Sequence, residues 1–138
     1  MGLLQITEIL WKDKLFIFVY LKYFEDFIKT FDKNKEFILT KIEREFGEFL
    51  FTRVYILLDE LWQRSESVFP FRDRKVAVIL LRTINNDGSP RDTKKVLFYL
   101  IHELCHLTEK GNYPFGETPE EIHKKFDELA REIIAKII

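Results

Sequence analysis

The segment from Thr93 to about Lys110 places the strongest constraint on how this chain can fold. It predicts a helix, with Asp92 or Thr93 as the N-cap and Gly111 directly after its last turn. Apolar residues fall on nearly every side of this helix: Val96, Leu97, Phe98, Leu100, Ile101, Leu104 and Leu107. A helix that is apolar all round must be buried, so the rest of the chain is expected to pack around it.

The N-terminal part of the chain predicts a β-hairpin. Leu3–Leu10 and Leu15–Leu21 are runs rich in strand-forming residues, and they flank the short segment 11–14. In the alternative interpretation the second run begins a helix, because aromatic and aliphatic residues recur there at helical spacing. These residues are Tyr20, Phe24, Phe27, Ile28 and Phe31.

The middle of the chain predicts one further helix and two strands. Lys35–Phe46 has apolar residues four apart and is followed by Gly47, which is typical of a helix and its C-terminal end. Val54–Leu58 and Val76–Leu81 are short runs rich in β-branched residues and predict strands. The segment between these two strands contains Pro70 and is predicted to be irregular or partly helical.

The last helix is expected to begin at Thr118–Pro119–Glu120–Glu121. This tetrapeptide has the pattern of a capping box, with proline at the first helical position. The element order is therefore hairpin, helices, strand, strand, helix, helix. We expect an α+β fold with a small mixed or antiparallel sheet, formed by residues 1–138 as a single domain.

Composition excludes several classes of function. The 138 residues carry 22 basic and 23 acidic side chains, and a net charge of −1 provides no field that would attract nucleic acid. The longest apolar run, Leu15–Leu21, is too short to span a membrane. No export signal is evident and a single cysteine fits a reducing compartment, so a cytoplasmic location is expected. The abundance of Lys, Glu and Ile is typical of thermophiles.

An HExxH motif, His102–Glu103–Leu104–Cys105–His106, lies inside the predicted buried helix. Residues four apart share one helical face, so His102 and His106 can bind the same metal ion. Glu103 lies about 100° further round the helix, where it can take a proton from a water beside the metal. Imidazole ligands and an open water position suit Zn²⁺ best. A helix that carries the motif by accident is the alternative.

Two residues on the last helix compete to be the third metal ligand. His123 flanks the apolar stripe of this helix and points partly inward, which favours it on helix geometry. Glu121 is the alternative, although an acidic residue in a first turn also interacts favourably with the helix dipole. Cys105 is three residues after His102 and could reach the metal, but the pattern favours a small buried side chain.

The motif in its context, VLFYLIHELCHLTEKG, resembles the zincin metallopeptidases. The resemblance implies a zincin-like fold in which a strand before the active-site helix binds the substrate antiparallel, and Val76–Leu81 looks like that strand. His123, followed by Phe126 and Leu129, is similar to the SprT-like families, whereas Glu121 as a ligand looks like the gluzincins. Tyr113, in the loop after the motif, could donate a hydrogen bond to the developing oxyanion, a role that tyrosine has in related enzymes.

These observations lead to the expectation of a small zinc-dependent peptidase acting on a peptide or protein substrate. Zn²⁺ would be held by His102, His106 and His123, and Glu103 would be the general base. One alternative is a non-catalytic or latent zinc-binding domain of the same fold that acts as a binding or regulatory module. No nucleic acid or membrane partner is expected, and the oligomeric state stays open.

Overall fold

A computed structural model describes residues 5–21, 26–59, 67–114 and 116–138. Over these ranges the chain forms a mixed sheet of five strands and four α-helices, so the α+β expectation is confirmed. In chain order the elements are β1 (Gln5–Trp11), β2 (Leu15–Leu21), α1 (Asp26–Lys33), α2 (Lys35–Phe46), β3 (Arg53–Asp59), β4 (Ser67–Phe71), β5 (Val76–Arg82), α3 (Thr93–Cys105) and α4 (Glu120–Ile137). A single 3-10 turn, Arg72–Arg74, connects β4 to β5.

The predicted N-terminal hairpin is confirmed. Strands β1 and β2 pair antiparallel from Gln5↔Leu21 to Trp11↔Leu15. The helical alternative for the second run is wrong, because Tyr20 belongs to β2 and the helix begins only at Asp26. Leu3 and Phe24, which contributed to these two interpretations, lie outside the described residues.

The sheet order is β1-β2-β3-β5-β4. The central pairs β2/β3 and β3/β5 are parallel, whereas the outer pairs β1/β2 and β4/β5 are antiparallel. Strand β5 confirms the strand predicted at Val76–Leu81, but it lies inside the sheet, with β3 on one side and β4 on the other. The expectation that this strand binds a substrate along its edge is therefore wrong, because both of its edges are already paired.

Strand β4 was not predicted and is the edge strand on this side of the sheet. It occupies part of the segment that was expected to be irregular, and all five of its residues pair with β5, from Ser67↔Leu80 to Phe71↔Val76. Pro70 has no N–H group to give to a ladder, which is why proline in a sheet is confined to positions such as edge strands. The edge position of β4 therefore agrees with its sequence.

One face of the sheet is buried against the helices and the other is only partly covered. Residues that alternate along the strands, among them Ile17, Ile56 and Ile79, are completely buried and form one core with the helices. On the opposite face the residues of the central strands are half-buried, and those of the outer strands, such as Ile6 and Phe71, are exposed. Phe18 stacks on Tyr55 on this face with 5.2 Å between the ring centroids. The alternation is that of strands packed on one side.

Helix α3 begins where the sequence predicts and ends earlier. The Asp92 carboxylate accepts a hydrogen bond from the backbone N–H of Lys95 at 2.8 Å, as expected of an N-cap. The helix ends at Cys105 rather than near Lys110, because the next residues bond to the segment that follows α2. The N–H of Leu50 donates to the carbonyl of Leu107, and that of Lys110 donates to the carbonyl of Phe46.

Gly111 allows this change of direction. A Cβ atom at this position would lie 2.0 Å from the carbonyl oxygen of Cys105, so only glycine permits the backbone to pass so close. The Thr108 hydroxyl donates to the same carbonyl at 2.8 Å and accepts from the Gly111 N–H. The small size of Gly111 is therefore what allows the chain to turn after α3, the helix that carries the HExxH motif.

Helix α4 begins at Glu120, and the predicted capping box is not formed. Pro119 occupies the N-cap position with φ −59° and ψ 144°, and no side chain caps the helix. A residue that precedes proline is held in an extended conformation, which keeps Thr118 outside the helix. No helix in the described part of the chain combines the length and the apolar content that a membrane span requires.

Candidate metal centre

Helices α3 and α4 bring all three histidines of the chain together. His102 lies in the last turn of α3, and His106 follows that helix with a helical backbone, φ −64° and ψ −15°, which keeps the two rings one turn apart. His123 comes from the first turns of α4. Their ligand nitrogens all lie within 4.8 Å of one another, so the three half-buried side chains could hold one metal ion.

The three imidazole rings form a nearly equilateral triangle. The ring centroids of His102 and His106 are 5.3 Å apart, and each lies 5.2 Å from that of His123. The ring planes cross at 59° to 79°, so the rings do not stack on one another. Such an arrangement of three protein ligands leaves a fourth tetrahedral position for water or substrate.

Phe126 forms the floor of this triangle. Its ring is completely buried and lies 5.4 Å from His102, 4.8 Å from His106 and 6.0 Å from His123, measured between centroids. An apolar wall behind the ligands restricts solvent and limits the rotamers that the rings adopt. Phe126 therefore belongs to the site as well as to the core.

Asp127 supports His102 through its carboxylate. Its Oδ1 atom lies 2.7 Å from Nδ1 of His102. When Nδ1–H donates to this carboxylate, Nε2 is the nitrogen that carries the lone pair, and a metal held by His102 would be bound through Nε2. This contact fixes both the tautomer and the orientation of the ring.

Electrostatics keep the His106 ring neutral. Burial, together with the neighbouring His102 and His123, lowers the pKa of His106 from its ordinary value of 6.5 to about 4. Only a neutral imidazole nitrogen can bind a metal ion. The donor set therefore fits a divalent metal at neutral pH without first having to lose a proton from His106.

Glu103 lies in the same pocket, 7% exposed and next to the histidine cluster along α3. Cys105 is buried and is not part of the cluster of possible ligands in the described chain. Burial, with Glu103 and Asp127 nearby, raises the pKa of the Cys105 thiol. A neutral thiol of this kind packs as a small apolar group, as the sequence favours.

The pocket in front of the histidines has a volume of about 640 Å³. Its walls come from α3, α4, the loop after α3 and the edge strand β4, which contributes Ser67, Val68 and Pro70. Tyr113 also lines the pocket, and the Arg72 guanidinium holds its loop by donating to the side-chain oxygen of Asn112 at 2.9 Å. Tyr113 was expected to donate a hydrogen bond to the developing oxyanion, and it lies on the wall of this pocket.

The structure brings together most of the residues singled out from the sequence. His102, Glu103, His106, Tyr113 and His123 all line the pocket. Glu121, the alternative third ligand, is exposed and belongs neither to the histidine cluster nor to the described pocket lining. The geometry thus selects His123 over Glu121.

The sequence did not predict Asp127 and Phe126 as parts of the site. Asp127 lies four residues after His123, and therefore on the same face of the helix, where a carboxylate one turn from a ligand is a typical partner of a metal-binding histidine. The four-residue spacing from His123 was therefore the sequence signal from which Asp127 could have been predicted as part of the site. No signal in the sequence indicated the role of Phe126 at the site, because its contacts with the three rings depend on how α3 and α4 pack.

Comparisons of this chain with protein-family models, with curated proteins and with solved structures find no match.

Proposed function

We propose that this chain is a zinc-dependent peptidase of the HExxH type with a zincin-like fold. The observation that carries the proposal is the histidine triangle with Glu103 beside it, at the base of a pocket bordered by an edge strand. Three imidazoles with an open fourth position are the donor set of a catalytic zinc site. When bound, zinc would lower the pKa of a water and polarise the scissile carbonyl.

Each residue of the site has a distinct part in this proposal. His102, His106 and His123 hold the ion, and Asp127 fixes His102 in the required tautomer. The Glu103 carboxylate takes a proton from the attacking water and later delivers it to the leaving amine. Its burial, 7% exposed, favours such proton transfer by keeping bulk water away. Tyr113 is proposed to donate a hydrogen bond to the developing oxyanion.

The proposed substrate is a peptide that lies extended alongside β4. An edge strand offers main-chain groups to an incoming strand, and alternate side chains of that strand then face the pocket. Val68 and Pro70 are two residues apart on β4 and both line the pocket, so this face of the strand points toward the histidines. In this proposal β4 takes the substrate-binding role that was expected of Val76–Leu81.

Replacing Glu103 with glutamine tests the proposal. The Glu103→Gln protein is expected to hydrolyse peptides at least about 100-fold more slowly, because the amide cannot accept the proton. Its zinc content and its thermal unfolding temperature should match those of the wild type. Glu121→Gln, which removes the same charge from an exposed position two residues before His123, should keep both activity and zinc.

Two results would contradict the proposal. Full hydrolysis by the Glu103→Gln protein would remove the general base from the mechanism. A wild-type protein that takes up zinc and cleaves no member of a peptide library would refute the peptidase and favour a zinc-binding module of the same fold.

A further inference from the structure

One cationic side chain faces the pocket among its described lining residues, and that side chain is Arg131. Arg131 lies on α4 one helical turn after Asp127. Its guanidinium carbon is 5.6 Å from the centroid of the Phe98 ring, and Phe98 lies on α3 one turn before His102. Since a helix rises about 1.5 Å per residue, the backbone of Arg131 lies about 6 Å further along α4 than that of Asp127.

No carboxylate in the described part of the chain forms an ion pair with Arg131. Asp127, four residues before Arg131 on α4, has its Oδ1 atom on His102. The side chain is exposed, and its contact with Phe98 is a cation–π interaction that orders the guanidinium without using its hydrogen-bond donors. Five donors in a planar fork match a carboxylate with two oxygens.

The arrangement of β4 and α3 defines two distinct ends of the pocket. The Phe71 end of β4 lies at the loop after α3, because Arg72 donates to Asn112 there. The Ser67 end pairs with Leu80, near the end of β5 from which the chain leads to the start of α3. Strand β4 and helix α3 therefore run in the same direction, from the Phe98 and Arg131 end toward the Tyr113 end.

A peptide that pairs antiparallel with β4, the more stable arrangement of two strands, runs the opposite way. Its N-terminal part lies near Tyr113 and its C-terminal part near Phe98 and Arg131. Arg131 is consequently placed beyond the histidines, on the C-terminal side of the bond that Glu103 would help to cleave.

We propose that Arg131 binds a carboxylate of the substrate on the C-terminal side of the cleaved bond. The inference rests on the proposed peptidase function and names the substrate class of that site. The carboxylate has two possible sources, the C-terminus of a short peptide or the side chain of Asp or Glu. Both present the same pair of oxygens to the guanidinium.

Four peptides of otherwise identical sequence distinguish these sources. The first ends in a free carboxylate shortly after the cleaved bond, and the second ends there in an amide. The third and fourth also end in an amide, and carry Glu on the C-terminal or the N-terminal side of that bond. The zinc-loaded protein is assayed for hydrolysis, with mass spectrometry of the products, and zinc-loaded Glu103→Gln protein is assayed for binding by fluorescence anisotropy.

The first or the third peptide is expected to be cleaved and bound about 10- to 100-fold better than the second, the gain of a charge-assisted pair. The fourth should resemble the second. Arg131→Gln should abolish the preference in both assays, whereas Arg44→Gln, which removes an arginine from the exposed face of α2, should leave it intact.

The outcomes separate this inference from the function on which it rests. Equal cleavage of all four peptides, or a preference that survives in Arg131→Gln, would overturn the inference and leave the peptidase standing. If no peptide is cleaved but the carboxylate preference in binding disappears with Arg131→Gln, the peptidase fails and carboxylate recognition is supported. The absence of both cleavage and binding would overturn both.

Discussion

Asp127 shows how one residue outside the HExxH motif can control the site. Its Oδ1 atom lies 2.7 Å from Nδ1 of His102, and both side chains are partly shielded, at 14% exposure for His102 and 32% for Asp127. A carboxylate at this distance fixes the ring and raises the basicity of the nitrogen that binds the metal. The effect of Asp127 therefore acts through His102.

Replacing Asp127 with asparagine should weaken zinc binding by about 10- to 100-fold, because the neutral amide supports the imidazole less well than the carboxylate does. Competition with a chromophoric chelator measures the affinity. Glu128→Gln removes the same charge from the next residue, which is exposed and does not line the metal pocket, and should leave the affinity unchanged. Equal affinities of the two variants would contradict the role of Asp127.

At the scale of secondary-structure elements, the C-terminal end of α3 positions the second histidine of the motif. His106 directly follows α3 with a helical backbone, and the chain then turns to run beside residues 46–50. The N–H of Glu109 donates to the carbonyl of Glu48 at 3.0 Å, and Gly111 then passes close under the Cys105 carbonyl. A backbone shift at Gly111 therefore moves the turn that carries His106.

Gly111→Ala is expected to lower the free energy of unfolding by about 1–3 kcal/mol, since the added methyl group has no room beside a backbone carbonyl. It should also weaken zinc binding. Gly88 has a φ of 86°, and nothing lies within 4 Å of the position that a Cβ atom would occupy there. Gly88→Ala should therefore lower the free energy of unfolding through its backbone conformation alone and leave zinc affinity intact. Chemical denaturation and zinc titration measure the two quantities. Unchanged stability of Gly111→Ala would contradict this account.

The bounds of an element could be predicted from the sequence when the residues that determine them are close to it in the chain. The start of α3 was predictable because Asp92 caps it with its own carboxylate three residues away. Its end was not, because the bonds that stop it come from residues 46–50, about 60 positions earlier in the chain. Strand β4 was missed for a related reason: a run of five residues containing Pro70 becomes a strand only by pairing with β5.

The site was predictable to a similar extent. Spacing within one helix predicted that His102 and His106 share a face, and the structure confirms that they do. The choice between His123 and Glu121 depended on the packing of α3 against α4, which helix geometry alone left open. That packing also determines the contacts of Phe126 with all three rings.

At the scale of the whole molecule, the histidine cluster lies beside a hydrophobic core that is formed by other residues. Buried residues run continuously from β1 and β2 through the sheet to α3 and α4, and they include Trp11, Ile56 and Ile133. The histidines are half-buried at the border of this core, next to the pocket. A bound ion would therefore add stability to a fold that already has its own hydrophobic core.

Removing the metal with a chelator should abolish peptide hydrolysis and lower the thermal unfolding temperature by about 5–15 °C, as expected for a tightly bound ligand. The unfolding transition should stay cooperative, because the core persists. Calorimetry of the loaded and the chelated protein measures both transitions. Loss of the cooperative transition after chelation would instead indicate an ion that the fold requires, as in small domains that are unfolded without zinc.

X-ray absorption at the zinc edge tests the central claim most directly, because it reports the number and type of the atoms that surround the ion. Protein loaded with one equivalent of zinc should show three imidazole nitrogens at about 2.0–2.1 Å, and His123→Ala should show one fewer. Zinc that is lost on dialysis of the wild-type protein, or a nitrogen count that stays the same in His123→Ala, would contradict the histidine triangle as the metal site.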